Sequence, residues 1–135
     1  MQEEIIRIIQ KFYPDTQAIY LFGSFSTVDE WPDSDLDIGL LLPPLQAQNA
    51  LFSALDPCSE ALADYTRKDV DLINVRQVST VFQKEITTTG RLLYCADQYA
   101  TDEFEMLVLS YYQKLNEERR EILESFLQTG RAYDV

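Results

Sequence analysis

Histidine is absent from the 135-residue sequence, and cysteine is limited to Cys58 and Cys95. Without histidine the chain cannot build a Ser-His-Asp triad, a histidine-ligated zinc site, or a ribonuclease site that uses histidine as acid or base. Two cysteines are too few for a disulfide framework, and we interpret them as thiols of a reducing compartment. The sequence therefore predicts a cytoplasmic protein whose chemistry depends on other side chains.

Basic residues are also scarce. The sequence has 11 Lys and Arg against 23 Asp and Glu, a formal net charge of −12. Nucleic-acid affinity comes largely from basic side chains that neutralise phosphates, so we expect no nucleic-acid partner. No apolar run is long enough to span a membrane, and the amphipathic start of the chain does not resemble a signal peptide, so we expect no membrane association. We find no internal repeat or linker, and we interpret residues 1–135 as a single domain.

The patterns that are present alternate between helical and strand periodicity. They indicate an α+β (α/β-like) fold, in which helices pack on one side of a small mixed β-sheet and a C-terminal helix or helix pair follows. Asp56-Pro57 is either a kink in one helix or the cap and first residue of a second helix, and Thr101 is a candidate N-cap for the last helix. The predicted strands are 18–22, 36–42, 68–75 and 91–95, and the predicted helices cover 5–12, 45–65, 78–86 and 101–129.

Two aspartates lie at the start of the second predicted strand. Successive side chains of a strand alternate between its faces, so Asp35 and Asp37 point one way while Leu36 and Ile38 point into the core. Two neighbouring carboxylates repel one another, and a positive charge between them relieves that repulsion. Hard divalent cations prefer oxygen ligands of this kind, so Mg²⁺ is the natural candidate.

Gly23-Ser24 directly follows the first predicted strand, ten residues before Asp35. Glycine permits a sharp turn with close backbone approach, and backbone N–H groups at the start of a helical turn can bind phosphate oxygens. Gly23-Ser24 is therefore a candidate phosphate-binding turn that complements the metal-binding carboxylates.

The third predicted strand supplies a further carboxylate. Asp69 and Asp71 share one face of this strand, while Val70 and Leu72 share the other. We prefer Asp71 as the third acidic residue of the site because it lies deeper in the strand, and we interpret Asp69 as a turn residue. The candidate metal ligands are thus Asp35, Asp37 and Asp71.

The pattern Gly23-Ser24, Asp35-x-Asp37 and a later strand aspartate resembles the nucleotidyltransferase superfamily that includes DNA polymerase β. The short chain looks most like the minimal nucleotidyltransferases, the MntA-type antitoxins paired with HEPN-domain toxins. This resemblance implies that Gly23 and Ser24 hold the β- and γ-phosphates of ATP. It also implies that Asp35 and Asp37 bridge two Mg²⁺ ions, and that Asp71 holds one ion near the attacking hydroxyl and helps to deprotonate it.

The activity implied by the resemblance is transfer of AMP from ATP to a hydroxyl, with a tyrosine of a cognate HEPN ribonuclease toxin as the expected acceptor in a hetero-oligomer. Two alternatives remain: an antitoxin that acts by complex formation without catalysis, and an adenylyltransferase for a small molecule such as an antibiotic. One departure bears on catalysis. Ser26-Thr27-Val28 stands where many relatives have an Ala-Arg-Gly-like triplet, so Arg76, Lys84 or Arg91 would have to reach the triphosphate from elsewhere.

Overall fold

The structure is a computed structural model that describes residues 2–22, 35–50 and 56–129. Helices and strands alternate along these residues, as the periodicity predicts. A 3₁₀ turn at Val75–Gln77 follows the third strand. The elements are α1 (Gln2–Phe12), β1 (Ala18–Phe22), β2 (Leu36–Leu41), α2 (Pro44–Asn49), α3 (Pro57–Thr66), β3 (Val70–Asn74), α4 (Thr80–Thr89), β4 (Arg91–Cys95) and α5 (Gln98–Thr129).

The four strands form one mixed sheet in the order β3-β2-β1-β4. β1 is antiparallel to both β2 and β4, whereas β2 and β3 are parallel. Phe22 and Leu36 therefore lie at one end of the sheet, which we call the carboxylate end because Asp35 and Asp37 flank Leu36. Ala18 and Leu41 lie at the opposite end, which we call the distal end. The predicted small mixed sheet is confirmed, and the α+β class with it.

Helices cover both faces of the sheet, so the prediction of packing on one side only is wrong. All five residues of β1 are buried, which requires cover on each face because successive side chains point in opposite directions. On one face, strand residues such as Ile19, Leu21 and Ile38 pack with α1, α2 and α3. On the other face, Tyr20 and Phe22 pack with residues of α4 and α5.

Asp56 decides between the two interpretations of residues 45–65. Its Oδ1 accepts backbone N–H groups from Cys58 at 2.8 Å and Ser59 at 3.4 Å, so it is the N-cap of α3, with Pro57 as the first helical residue. α2 ends at Asn49. The described segment thus contains two helices rather than one bent helix.

α5 is a single helix of 32 residues that begins at Gln98. The Asp97 carboxylate accepts the N–H of Ala100 at 3.0 Å, so Asp97 caps the helix. The prediction of Thr101 as N-cap is wrong, because Thr101 lies inside the first turn, where its hydroxyl bonds the Asp97 carbonyl. Neither α5 nor any other helix in the described ranges is long and apolar enough to cross a membrane.

Candidate active site

The candidate carboxylates lie side by side across two parallel strands. Asp37 of β2 is in register with Asp71 of β3, and directly paired residues project from the same face of a sheet. On its other side Asp37 pairs with Phe22, the last residue of β1. Gly23 and Ser24 follow Phe22 in the chain and lie outside the described residues. The structure thus brings Asp71 and Asp37 together, next to the strand that precedes Gly23 and Ser24 in the sequence.

Hydrophobic packing places the acids on this face. Leu36 and Ile38 are fully buried against α1–α3, so the residue between them projects from the opposite face. Gly39 follows Ile38, and a Cβ added there would lie 2.7 Å from Val75 Cγ2. Glycine at this position lets the 3₁₀ turn pack closely on β2. The backbone that carries Asp37 is therefore held between two packed layers.

The electrostatics of Asp37 are unfavourable for a charged carboxylate. Partial burial raises the pKa of Asp37, and the nearby charges of Asp71 and Asp35 raise it further. No salt bridge among the described residues involves any of these three aspartates. The folded chain therefore keeps a cluster of acids whose mutual repulsion its own described side chains do not offset.

A small cavity of about 180 Å³ marks the acidic surface and is lined by Asp35, Asp69, Val70 and Asp71. Asp69 is thus also close to the cluster, and its backbone carbonyl accepts the N–H of Leu36 at 2.8 Å. The nearby charges of Asp71 and Asp35 raise the pKa of Asp37. Asp71 is also the residue of β3 in register with Asp37, which favours Asp71 over Asp69 as the third acid.

The donor chemistry fits a hard divalent cation, since the three candidates offer only anionic oxygen atoms. In the positions that the side chains adopt, however, no three or more acidic, histidine or cysteine residues of the described ranges are grouped to hold a metal ion. Asp37 is half-buried, whereas Asp35 and Asp71 are exposed.

α4 packs over the strand end that precedes the Gly-Ser turn. The ring of Phe82 meets that of Phe22 edge to face, with 5.7 Å between the centroids and an angle of 80°. Gly90 ends α4, and an added Cβ there would lie 2.4 Å from the Ile86 carbonyl oxygen and 3.3 Å from that of Leu21. The sequence patterns singled out neither phenylalanine; Phe22 is the last residue of β1, and Phe82 lies in the first turn of α4.

The three basic candidates have different environments. Arg76 is used at the distal end, where its Nε donates to the Leu42 carbonyl at 2.5 Å and its Nη2 to Gln17 Oε1 at 2.6 Å. Lys84 on α4 has its ammonium 4.9 Å from the centroid of the Tyr112 ring. Arg91 is exposed and opposite Leu21, at the carboxylate end of the sheet. Arg76 is thus engaged in hydrogen bonds at the distal end, whereas Arg91 lies at the carboxylate end.

The fold and the row of acids define a nucleotidyltransferase. The family model for polymerase beta nucleotidyltransferases matches residues 3–99, and the chain belongs to this family. It is 32% identical over 132 residues to the protein adenylyltransferase MntA of Shewanella oneidensis, a match that covers 97% of this chain and 91% of MntA. The resemblance that the Gly-Ser and Asp-x-Asp motifs indicated is confirmed.

Solved structures agree with this assignment. One is a crystal structure of a toxin-antitoxin with AMP-PNP, at 30% identity and a TM-score of 0.72, covering 93% of this chain and 98% of that chain. Another is described as tri-AMPylated Shewanella oneidensis HEPN toxin in complex with MNT antitoxin. Its matching chain is 30% identical with a TM-score of 0.66, covering 93% of this chain and 95% of that chain. The chain is therefore a homologue of MntA along nearly its whole length.

Proposed function

We propose that this chain transfers AMP from ATP to a hydroxyl group of a HEPN-domain toxin, a tyrosine hydroxyl by preference, and so neutralises the toxin. The observation that carries the proposal is the pairing of Asp37 with Asp71 beside the strand that leads into Gly23-Ser24. The similarity to MntA supports AMP transfer, and the complex of an AMPylated HEPN toxin with its antitoxin supports a protein acceptor.

Asp35, Asp37 and Asp71 are the proposed ligands of Mg²⁺. When bound, Mg²⁺ would supply positive charge that stabilises the attacking and leaving oxygens of an in-line displacement at the α-phosphate. Asp71 accepts the proton of the attacking hydroxyl group while the oxygen of that hydroxyl group bonds to the α-phosphorus. The bond between the α-phosphorus and the bridging oxygen breaks, and pyrophosphate leaves. The protein contributes chiefly positioning and charge placement.

Gly23 and Ser24 are the proposed ligands of the β- and γ-phosphates, through backbone N–H groups and the serine hydroxyl. Lys84 and Arg91 are the proposed basic residues that contact the β- and γ-phosphates. Both lie on elements packed against β1, and Arg91 is at the carboxylate end of the sheet. We place the reaction in the cytoplasm, in keeping with the two free thiols.

The direct test is incubation of the purified chain with α-labelled ATP, Mg²⁺ and a cognate HEPN-domain toxin. We expect label on the HEPN protein with the wild-type chain and none above background with Asp37→Asn. Asp64→Asn changes an exposed acid on α3 and is the matched control, which should transfer label at the wild-type rate. Absence of label with every divalent metal would refute the proposed reaction.

A second candidate is neutralisation by complex formation alone. The absence of a three-ligand metal group among the described side chains favours it, as does the altered triplet at residues 26–28. One measurement distinguishes the two candidate functions, namely the growth of cells that express the toxin together with the Asp37→Asn variant of this chain. Rescue by this variant would establish binding as sufficient, whereas growth arrest with an intact complex would establish catalysis.

A further inference from the structure

The C-terminal half of α5 carries an apolar stripe that the protein itself does not cover. Every side chain from Asn116 to Leu127 is exposed. Ile122 is 59% exposed and Phe126 is 39% exposed. Together with Arg119 and Leu123 they line a groove of about 490 Å³.

This stripe continues the face of α5 that packs on the sheet. Phe104 and Val108 are buried in the core, and Tyr112 is half-buried beside Lys84. Steps of three and four residues lead from these positions to Leu115, Arg119, Ile122 and Phe126, so all of them share one side of the helix.

The helix is longer than the sheet that it covers. Its 32 residues span about 48 Å, whereas a strand of five or six residues spans about 17–20 Å. α5 begins beside the distal end, where Ala96 and Asp97 bond to Gln17, and it reaches α4 by Tyr112. Its remaining turns extend beyond the part of the sheet that α5 covers. The face of the sheet on which α4 and α5 pack is also the face from which Asp37 projects, opposite to Leu36 and Ile38.

We propose that residues Leu115–Leu127 of α5 dock an amphipathic helix of the acceptor protein, with an acidic side chain of that helix facing Arg119. The proposal rests on the proposed function in one respect, namely that the acceptor is a protein. A docked helix here would present neighbouring residues of the acceptor to the acidic row. The 3-4 spacing of the stripe is the pattern by which one helix packs lengthwise on another.

The charges disfavour a second copy of this chain as the occupant. A parallel pair would place Arg119 against Arg119, and any pair would bring together two chains of net charge −12. Arg119 forms no salt bridge with the part of the chain that the structure describes. An acid from a different protein therefore complements the stripe better than the stripe complements itself.

The test compares two variants of α5 that remove exposed apolar side chains from opposite sides of the helix. Ile122→Ser with Phe126→Ser alters the stripe, and Met106→Ser, at a residue that is 69% exposed on the outer side, is the matched control. Calorimetry measures the dissociation constant of each variant for a cognate HEPN-domain toxin. Binding of AMP-PNP to each variant alone checks that the fold and the nucleotide site are intact.

We expect the double variant to bind the HEPN protein about tenfold or more weakly and Met106→Ser to bind within about twofold of wild type, with AMP-PNP binding unchanged in both. Wild-type affinity in the double variant, an equal loss in Met106→Ser, no complex with the wild-type chain, or a wild-type dimer that the double variant dissociates would each overturn the docking proposal. A tight, stripe-dependent complex without AMP transfer would support docking while refuting the proposed reaction.

Discussion

Two aspartates at opposite ends of the sheet have opposite environments. Asp56, at the distal end, accepts the N–H groups of Cys58 and Ser59 and the hydroxyl of Tyr13, the last at 2.7 Å. Asp37, at the carboxylate end, pairs with Asp71, and burial and neighbouring acids raise its pKa. One carboxylate is surrounded by donors and the other by charges of its own sign. Asp56 is thus satisfied within the protein, whereas the charged form of Asp37 is disfavoured by its surroundings among the described residues.

The same contrast holds for the basic residues. The one partly buried arginine that could have served phosphate, Arg76, bonds to Leu42 and Gln17 at the distal end and lies 5.3 Å from the Phe104 ring centroid. Lys84 and Arg91 bond to no carboxylate among the described residues. Arg76 is thus part of a polar network that stabilises the distal end, whereas Lys84 and Arg91 belong to no such network in the part of the chain that the structure describes.

The largest expected effect separates Asp71 from Asp69. We expect Asp71→Asn to lower the rate of AMP transfer by about 10²–10³-fold, the range seen when one preorganised electrostatic group is removed from an active site. Asp69→Asn should lower it by less than about tenfold, because Asp71 and not Asp69 is in register with Asp37. Initial rates of label transfer at saturating ATP provide the measurement. Equal losses of rate in Asp71→Asn and Asp69→Asn would contradict the choice of Asp71 over Asp69 as the third acid.

The next effect tests whether the distal network is structural. Arg76→Met keeps much of the side-chain volume but leaves the Leu42 carbonyl and Gln17 Oε1 without their donor, and we expect it to lower the free energy of unfolding by about 2 to 3 kcal/mol. Transfer activity per folded molecule should not change. Urea denaturation measures the first quantity, and Arg7→Met, at an exposed salt bridge with Glu4, is the control with an effect below about 1 kcal/mol.

A smaller loss is expected when the satisfied aspartate is removed. Asp56→Ala deletes the N-cap of α3 and the acceptor for Tyr13, which should destabilise the protein by about 1 to 2 kcal/mol. Asp64→Ala, at an exposed position of the same helix, should change stability by less than about 0.5 kcal/mol. Thermal or urea denaturation of Asp56→Ala and Asp64→Ala measures the difference. Equal stability of the two variants would contradict the assignment of Asp56 as the N-cap of α3.

The sequence predicted those parts of the site that depend on local periodicity. Alternation along a strand placed Asp37 opposite Leu36 and Ile38, and the structure has it so. The pairing of Asp37 with Asp71 follows instead from the register of two parallel strands, which the packing of the intervening α2 and α3 sets. No pattern within either strand carries that register, and the family resemblance supplied it.

What local patterns did not predict about α5 also depends on tertiary packing. Asp97 and Thr101 are both good N-cap residues, and only the tertiary position of α5 selects Asp97. The periodicity of apolar residues along α5 shows which side of the helix is apolar, but not how far a sheet extends beneath it. Ile122 and Phe126 share the periodicity of the buried Phe104 and Val108 and yet lie on the surface.

The smallest expected effect is a change in stability opposite in sign to that of Asp56→Ala. Because the pKa of Asp37 is raised in the folded chain, the folded state binds more protons than the unfolded state between the unfolded and folded pKa values. The stability that this group contributes is fully present below the unfolded pKa and is lost as the pH rises through the folded pKa. Asp37→Asn lacks that loss, so without divalent cations it should be slightly more stable than wild type at pH 7.

Denaturation of wild type and Asp37→Asn at pH 3.5 and pH 7, with and without Mg²⁺, measures this difference, since the titrations of other groups are common to both proteins. The advantage of the variant should shrink at the lower pH, where Asp37 is protonated in both states. Mg²⁺ should stabilise wild type and leave the variant nearly unchanged, because a bound cation offsets the repulsion among the acids. A wild-type chain that is the more stable of the two at pH 7 without metal would mean that Asp37, like Asp56, is satisfied by the protein itself.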